Sequence, residues 1–144
     1  MRFSTKGHYG LKAMLDLAQH YGAVPVPLKS VAQRQRLSGY YLEQLFTMLR
    51  KAGLIKSVRG VQGGYMLARP PEEIKVGDVI RVLEGPVAPV ECVNEVEPKE
   101  CDQADYCITR IVWVKLRDSI AGVLDSISLA DICRGAQKNQ QSQE

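Results

Sequence analysis

The chain has 144 residues, 45% of them apolar, enough for one domain with a real core or a small domain carrying an appendage. No stretch approaches the roughly 18 consecutive apolar residues a membrane span needs, and Lys12 and Asp16 interrupt the run from Leu11 to Ala18, so neither a membrane protein nor a secreted one is expected. The net charge of +3 hides an asymmetry: residues 1–69 hold eleven lysines and arginines against Asp16 and Glu43, whereas residues 70–144 hold eight against fourteen acids.

A cationic front of that kind suits a polyphosphate, because Lys and Arg that neutralise phosphates release condensed counterions. Charge alone is equally met by a solvated basic face with no partner. Periodicity separates the two. Leu11, Met14, Leu15 and Ala18 recur at helical spacing and predict a first helix ending near Gly22. Pro25 and Pro27 punctuate a loop, and Leu28, Val31 and Ala32 mark a short second helix that stops around Leu37. Ser38 is a suitable N-cap for a third helix, with Leu42, Leu45, Phe46 and Leu49 as its buried stripe and Gly53 as its C-cap. LIKSVRG and VQGGYMLA then read as two strands around a glycine-rich turn. Three helices and a hairpin make a winged helix-turn-helix over residues 1–70, a mainly α fold with a small β wing.

With its apolar stripe inward, the third helix presents Tyr40, Tyr41, Glu43, Gln44, Thr47, Arg50 and Lys51 outward as a candidate reading face for the major groove of double-stranded DNA, with Ser38 at its start. Gln44 can pair with adenine, Glu43 can accept from cytosine N4, and the tyrosines can meet a thymine methyl or a phosphate. Glu43 is a negative charge aimed at a polyanion and is read as a penalty against wrong bases; an ordinary helix-surface glutamate is the plainer alternative. Lys56 and Arg59 flank a wing tip that could enter a minor groove. The tip GVQGG lacks the lysine and hydroxyl of a phosphate-binding loop, so its glycines serve turn geometry.

Residues 71–134 form the acidic part. VGDVIRVLEG predicts a short amphipathic helix with Val76, Val79, Ile80 and Leu83 on one side. The segment ECVNEVEPKECDQADYC, residues 91–107, follows with six carboxylates and with Cys92, Cys101 and Cys107 spaced C-x8-C-x5-C. In a cytoplasmic chain such thiols favour metal or redox chemistry over a disulfide staple, and three thiolates are soft ligands for an iron-sulfur cluster or zinc; a plain polar loop stays open. A long helix over 104–128 carries Trp113, Leu116, Ile120, Val123 and Ile127 at spacings of 3, 4, 3 and 4, a coiled-coil seam suited to a homodimer or to packing on its own domain. SLADICRGA predicts a last short helix with Cys133 as a buried thiol, and residues 135–144 read as a flexible tail. An enzyme is not expected: there is no C-x-x-C pair, just His8 and His20, and no nucleophile motif.

MRFSTKGHYGLKAMLDLA, LSGYYLEQLFTMLRKAGLIKSVRGVQGGYMLA, VGDVIRVLEGP and the later three-cysteine loop together resemble the Rrf family of bacterial winged-helix transcription regulators, most closely its iron-sulfur cluster regulators. The resemblance runs to about Arg134. It implies a homodimer with exchanged dimerisation helices, and loop cysteines that carry a cluster, 2Fe-2S or 4Fe-4S, in the sensing members and none in others. VIRVLEGPVAPVE looks like the cluster-free regulators of cysteine metabolism. The cluster-binding members place a histidine three residues after the third cysteine, where this chain has Arg110, which cannot ligate. Other relatives draw a ligand from the partner's first helix, which here corresponds to His8. The implied ligand set is therefore Cys92, Cys101, Cys107 and His8 of the other subunit, with 2Fe-2S as the expected cluster and zinc or no metal as alternatives.

Overall fold

The computed structural model describes residues 3–100 and 107–142, the side chains as far as Gln137. Helix α1 (Thr5–Gln19) starts at Ser4, whose hydroxyl accepts from the Lys6 amide; α2 (Leu28–Gln35) and α3 (Gly39–Lys51) follow, the latter capped by Ser38 through the Tyr41 amide. Strands β1 (Ile55–Val58) and β2 (Gly64–Leu67) pair antiparallel with Ile55 opposite Leu67. Tyr65 also exchanges both backbone hydrogen bonds with Val26, at 2.9 and 2.7 Å, so the loop before α2 joins the other edge of the wing through a single bridge. Gly64 makes that approach possible: a Cβ there would overlap the Val26 carbonyl.

The expected buried stripe of α3 is confirmed, since Leu42, Leu45, Phe46 and Leu49 are all almost fully buried. They meet Met14 and Leu17 of α1, Val31 of α2, and Ile55 and Leu67 of the hairpin. The same core continues into the second half through Val79 and Leu83 of α4 (Val76–Glu84) and Leu129 of α6 (Leu129–Ser142). Leu83 is seated where a Cβ on Gly10 would stand, which brings α1 and α4 into close contact. Asp16, 3% exposed, is held by a two-pronged ion pair to Arg34 at 2.7 and 2.9 Å and by Gln35, fastening α1 to α2.

Two expectations need correction. The long helix, expected over 104–128, is α5 (Arg110–Ser126); Ala104–Tyr106 lie outside the described residues, and Cys107–Thr109 form a turn before it. Its C-terminus is set by backbone pairing of 127–129 with 74–76: Val76 donates to the Ile127 carbonyl and Leu129 to the Ile74 carbonyl, both at 2.9 Å, so Ile127 is extended rather than helical. The last helix, expected to be short, begins at a reciprocal cap between Ser128 and Asp131 and runs to Ser142.

Candidate nucleic-acid interface and cysteine loop

The solvent face of α3 and the wing stand together on one side of this core. Tyr40 is 75% exposed, and Glu43, Gln44, Arg50 and Lys51 are exposed, as are Lys56 and Arg59 beside the wing. Thr47 is half-buried, and its hydroxyl donates to the Glu43 carbonyl at 2.8 Å. Tyr41 departs from the expected outward projection. It is half-buried, its ring stands edge-on to Tyr9, and its hydroxyl donates to Thr5 Oγ1 at 3.2 Å. Sequence reasoning passes over Val61, fully exposed at the wing tip between Gly60, at φ +117°, and Gln62. The signal is an apolar residue in a turn made otherwise of glycine and glutamine.

After α4, a 3-10 turn (Glu91–Val93) and the stretch to Glu100 form the described part of the cysteine loop. Cys92 and Cys107 are free, half-buried thiols; Cys101 lies outside the described residues. Cys107 stands just ahead of α5. A hydrogen bond with the Thr109 hydroxyl at 3.2 Å, then the Arg110 amide, hold its thiol below the usual range. Arg110 also buries its Nε with no hydrogen-bond partner among the described residues. Cys133, in contrast, is a half-buried thiol of α6, pushed up by burial. Among the described residues no three His, Cys, Asp or Glu side chains come together as a metal site. His8 is exposed on α1, at the rim of an apolar groove of about 360 Å³ lined by Leu11, Leu15, Val76, Ile80 and Leu124.

The loop is tied down by an arginine to which the sequence pattern assigns no role. Arg81 of α4 pairs with Glu95 at 2.7 and 3.2 Å and with Asp125 of α5 at 2.6 and 3.0 Å. Glu95 also accepts from the Val87 amide at 2.8 Å. The Asp125 and then the Glu95 hydrogen bonds push the Arg81 guanidinium above its usual range, and Arg81 lowers both carboxyls. Arg117 adds a hydrogen bond from α5 to the Val93 carbonyl.

Along α5 no residue is fully buried. Trp113 and Ile120 of the expected seam are half-buried, while Leu116 and Val123 are exposed, with Val112 beside them at 56%. Val112, Leu116 and Val123 therefore form an uncovered stripe, with Ile111 exposed at its edge. No described helix is long and apolar enough to cross a membrane.

Residues 3–135 match a family model named Rrf2 and described as an iron-dependent transcriptional regulator. The chain is 48% identical over 132 residues to the HTH-type transcriptional regulator CymR of Bacillus subtilis strain 168, covering 92% of this chain and 89% of that one. It is 43% identical to the HTH-type transcriptional regulator IscR of Serratia proteamaculans strain 568, covering 92% and 79%. A solved structure titled T. potens IscR superposes with a TM-score of 0.80 at 55% identity, covering 97% of this chain and 91% of that one.

Proposed function

The chain belongs to the Rrf2 family of transcriptional regulators, and we propose that it binds an operator in double-stranded DNA as a homodimer whose grip is adjusted by the state of its cysteine loop. The observation that carries the reading is the joint exposure of Tyr40, Glu43, Gln44, Arg50 and Lys51 on α3 with Lys56 and Arg59 of the wing. In this reading Gln44 and Glu43 select bases, Arg50, Lys51, Lys56 and Arg59 neutralise phosphates, and Ser38 and Thr47 sit at the margin of the interface. Tyr41, tied to Thr5, orients the helix rather than reading DNA directly. Residues 1–70 act as the reading unit, 71–134 as the loop and dimerisation unit, and 135–144 as a C-terminal extension.

The donor set of the loop suits an iron-sulfur cluster, 2Fe-2S in the first instance. Cys107 is hydrogen-bonded to the Thr109 hydroxyl just ahead of α5, and the Arg110 Nε, buried with no partner among the described residues, could donate to an anionic group held there. Cys92, Cys101 and Cys107 would be its ligands, with His8 of the other subunit as the fourth. The bound group would supply a redox- and iron-sensitive cross-link between the two ends of the loop. A second reading, in which the loop holds zinc or no metal and the thiols respond directly, is favoured by Arg110 standing where a ligand is expected and by the similarity to CymR.

Anaerobic loading with iron and sulfide, elemental analysis and duplex binding with and without the loaded group test both. The expected result is stoichiometric iron and sulfide, and an operator affinity that changes about 5- to 150-fold on loading. A colourless protein with zinc or nothing bound selects the second reading. Absence of affinity for any duplex at low ionic strength overturns the function itself.

A further inference from the structure

Two of the charged side chains of helix α4, Arg81 and Glu84, stand about one turn apart and face different parts of the molecule. Arg81 holds Glu95 in the middle of the cysteine loop, and the chain leaving α4 at Val87 donates to the same carboxylate. Glu84 reaches the start of α1, where its Oε1 accepts from the Ser4 hydroxyl at 2.5 Å and the Gly7 amide at 2.8 Å. It thereby satisfies one of the amides that open the helix, and it does so at close range, since a Cβ on Gly7 would meet its carboxyl oxygen at 2.6 Å. The same first turn of α1 contains Thr5, which receives the Tyr41 hydroxyl from the first turn of the reading helix, while Tyr9, one turn on, packs edge-on to the Tyr41 ring.

We propose that Arg81 and Glu84 are positioning residues that couple the cysteine loop to the first turn of the DNA-reading helix, through the capped start of α1 and Tyr41. The inference rests on the proposed regulatory role of the loop and specifies its route. When the loop is ordered, Glu95 holds Arg81 and the C-terminal turn of α4, so Glu84 stays seated on α1 and Tyr41 is pinned. When the loop rearranges, Glu95 withdraws, that turn loosens, and the Tyr40–Glu43 end of α3 shifts against the groove. Spatial adjacency alone does not demonstrate coupling, so the readout must come from the far end of the route.

The full chain, reduced and metal-free, is labelled with 3-fluorotyrosine and its resonances are assigned by single Tyr→Phe changes. Glu95→Gln is expected to shift the Tyr41 resonance and leave that of Tyr21, beyond the other end of α1, in place. Glu84→Ala should shift Tyr41 as well, and Glu84→Gln, which keeps an acceptor oxygen, should restore it. An unmoved Tyr41 resonance in Glu95→Gln overturns the coupling, as does equal movement of Tyr21. A second measurement compares operator affinity of iron-and-sulfide-loaded and chelator-treated protein. In Arg81→Met the ratio between the two states should fall at least threefold toward one. A wild-type ratio of one sinks the regulatory reading while the fluorine result still decides the coupling; a wild-type ratio that survives intact in Arg81→Met sinks the coupling alone. If Arg81→Met fails to fold, Glu95→Gln, which keeps the Arg81 pair with Asp125, carries both measurements.

Discussion

Asp16 illustrates how one residue can be misjudged from sequence yet decide local stability. In the sequence it reads as a break in an apolar run; in the fold it is a buried carboxylate gripped by Arg34 and Gln35. Burial alone would raise its pKa, but the hydrogen bonds and charge of Arg34, with Gln35 and His20, outweigh this and hold it below the usual carboxylate value of 3.8. A depressed folded-state pKa means the stabilisation is complete above the unfolded value and disappears as pH falls through the lowered one. The melting temperature should therefore decline as the pH drops below about 4. Asp16→Asn should cost about 2 kcal/mol at neutral pH, discounted because Arg34 is partly solvated, and should flatten that acid decline. Thermal melts from pH 3 to 7 check it; parallel curves for the two proteins would show that Asp16 does not titrate with folding. Tyr41 escapes sequence reasoning for a related reason. Helical phase separates inward from outward, but a flank position goes to whichever neighbour the tertiary fold supplies, here Thr5 and Tyr9.

The elements of the front half are legible because each rule points the same way. Ser38 caps, four apolar residues recur at helical spacing and glycines open the hairpin; the structure agrees throughout. Such agreement makes the roles of α3 and the wing separable by experiment. Replacing Lys56 and Arg59 by alanine should weaken all duplexes alike and reduce the slope of log affinity against log salt by about two, one for each phosphate no longer neutralised. Glu43→Ala should leave that slope nearly unchanged and instead relax the choice among operator variants, by about 1–3 kcal/mol at the position it reads. Salt titrations on a small operator library measure both, and an unchanged sequence preference in Glu43→Ala would return that residue to the status of a surface glutamate. The rear half is less legible. Its second helix ends where 127–129 pairs with 74–76, a long-range pairing that no local pattern announces. Glu95 looks like one acid among six until Arg81 is placed beside it.

At the scale of the whole molecule, the core runs unbroken from α1–α3 into α4 and α6, whereas α5 contributes no fully buried residue. A helix of 17 residues bearing Val112 at 56%, Leu116 at 39% and Val123 at 59% exposure leaves apolar surface that a single subunit does not cover. Of the seam read from sequence, Leu116 and Val123 are exposed and Trp113 and Ile120 half-buried, so the open apolar surface includes Val112, outside the expected spacing. A second copy of α5 matches the need: an isologous interface repeats the same stripe on both sides, and its two-fold axis would hold a pair of reading helices at the spacing of paired half-sites. Burying two or three aliphatic side chains per subunit is worth about 1.5–3 kcal/mol each, so one charge in the centre should dissociate the pair at micromolar concentration. Val123→Asp, and separately Leu116→Asp, should sediment as monomers with unchanged helical circular dichroism. Their affinity for a two-half-site duplex should fall at least about a hundredfold once the second subunit is no longer tethered to the first, while the weak affinity for a single half-site persists. Should both variants remain dimeric, the partner surface lies elsewhere and α5 must find its cover within the chain.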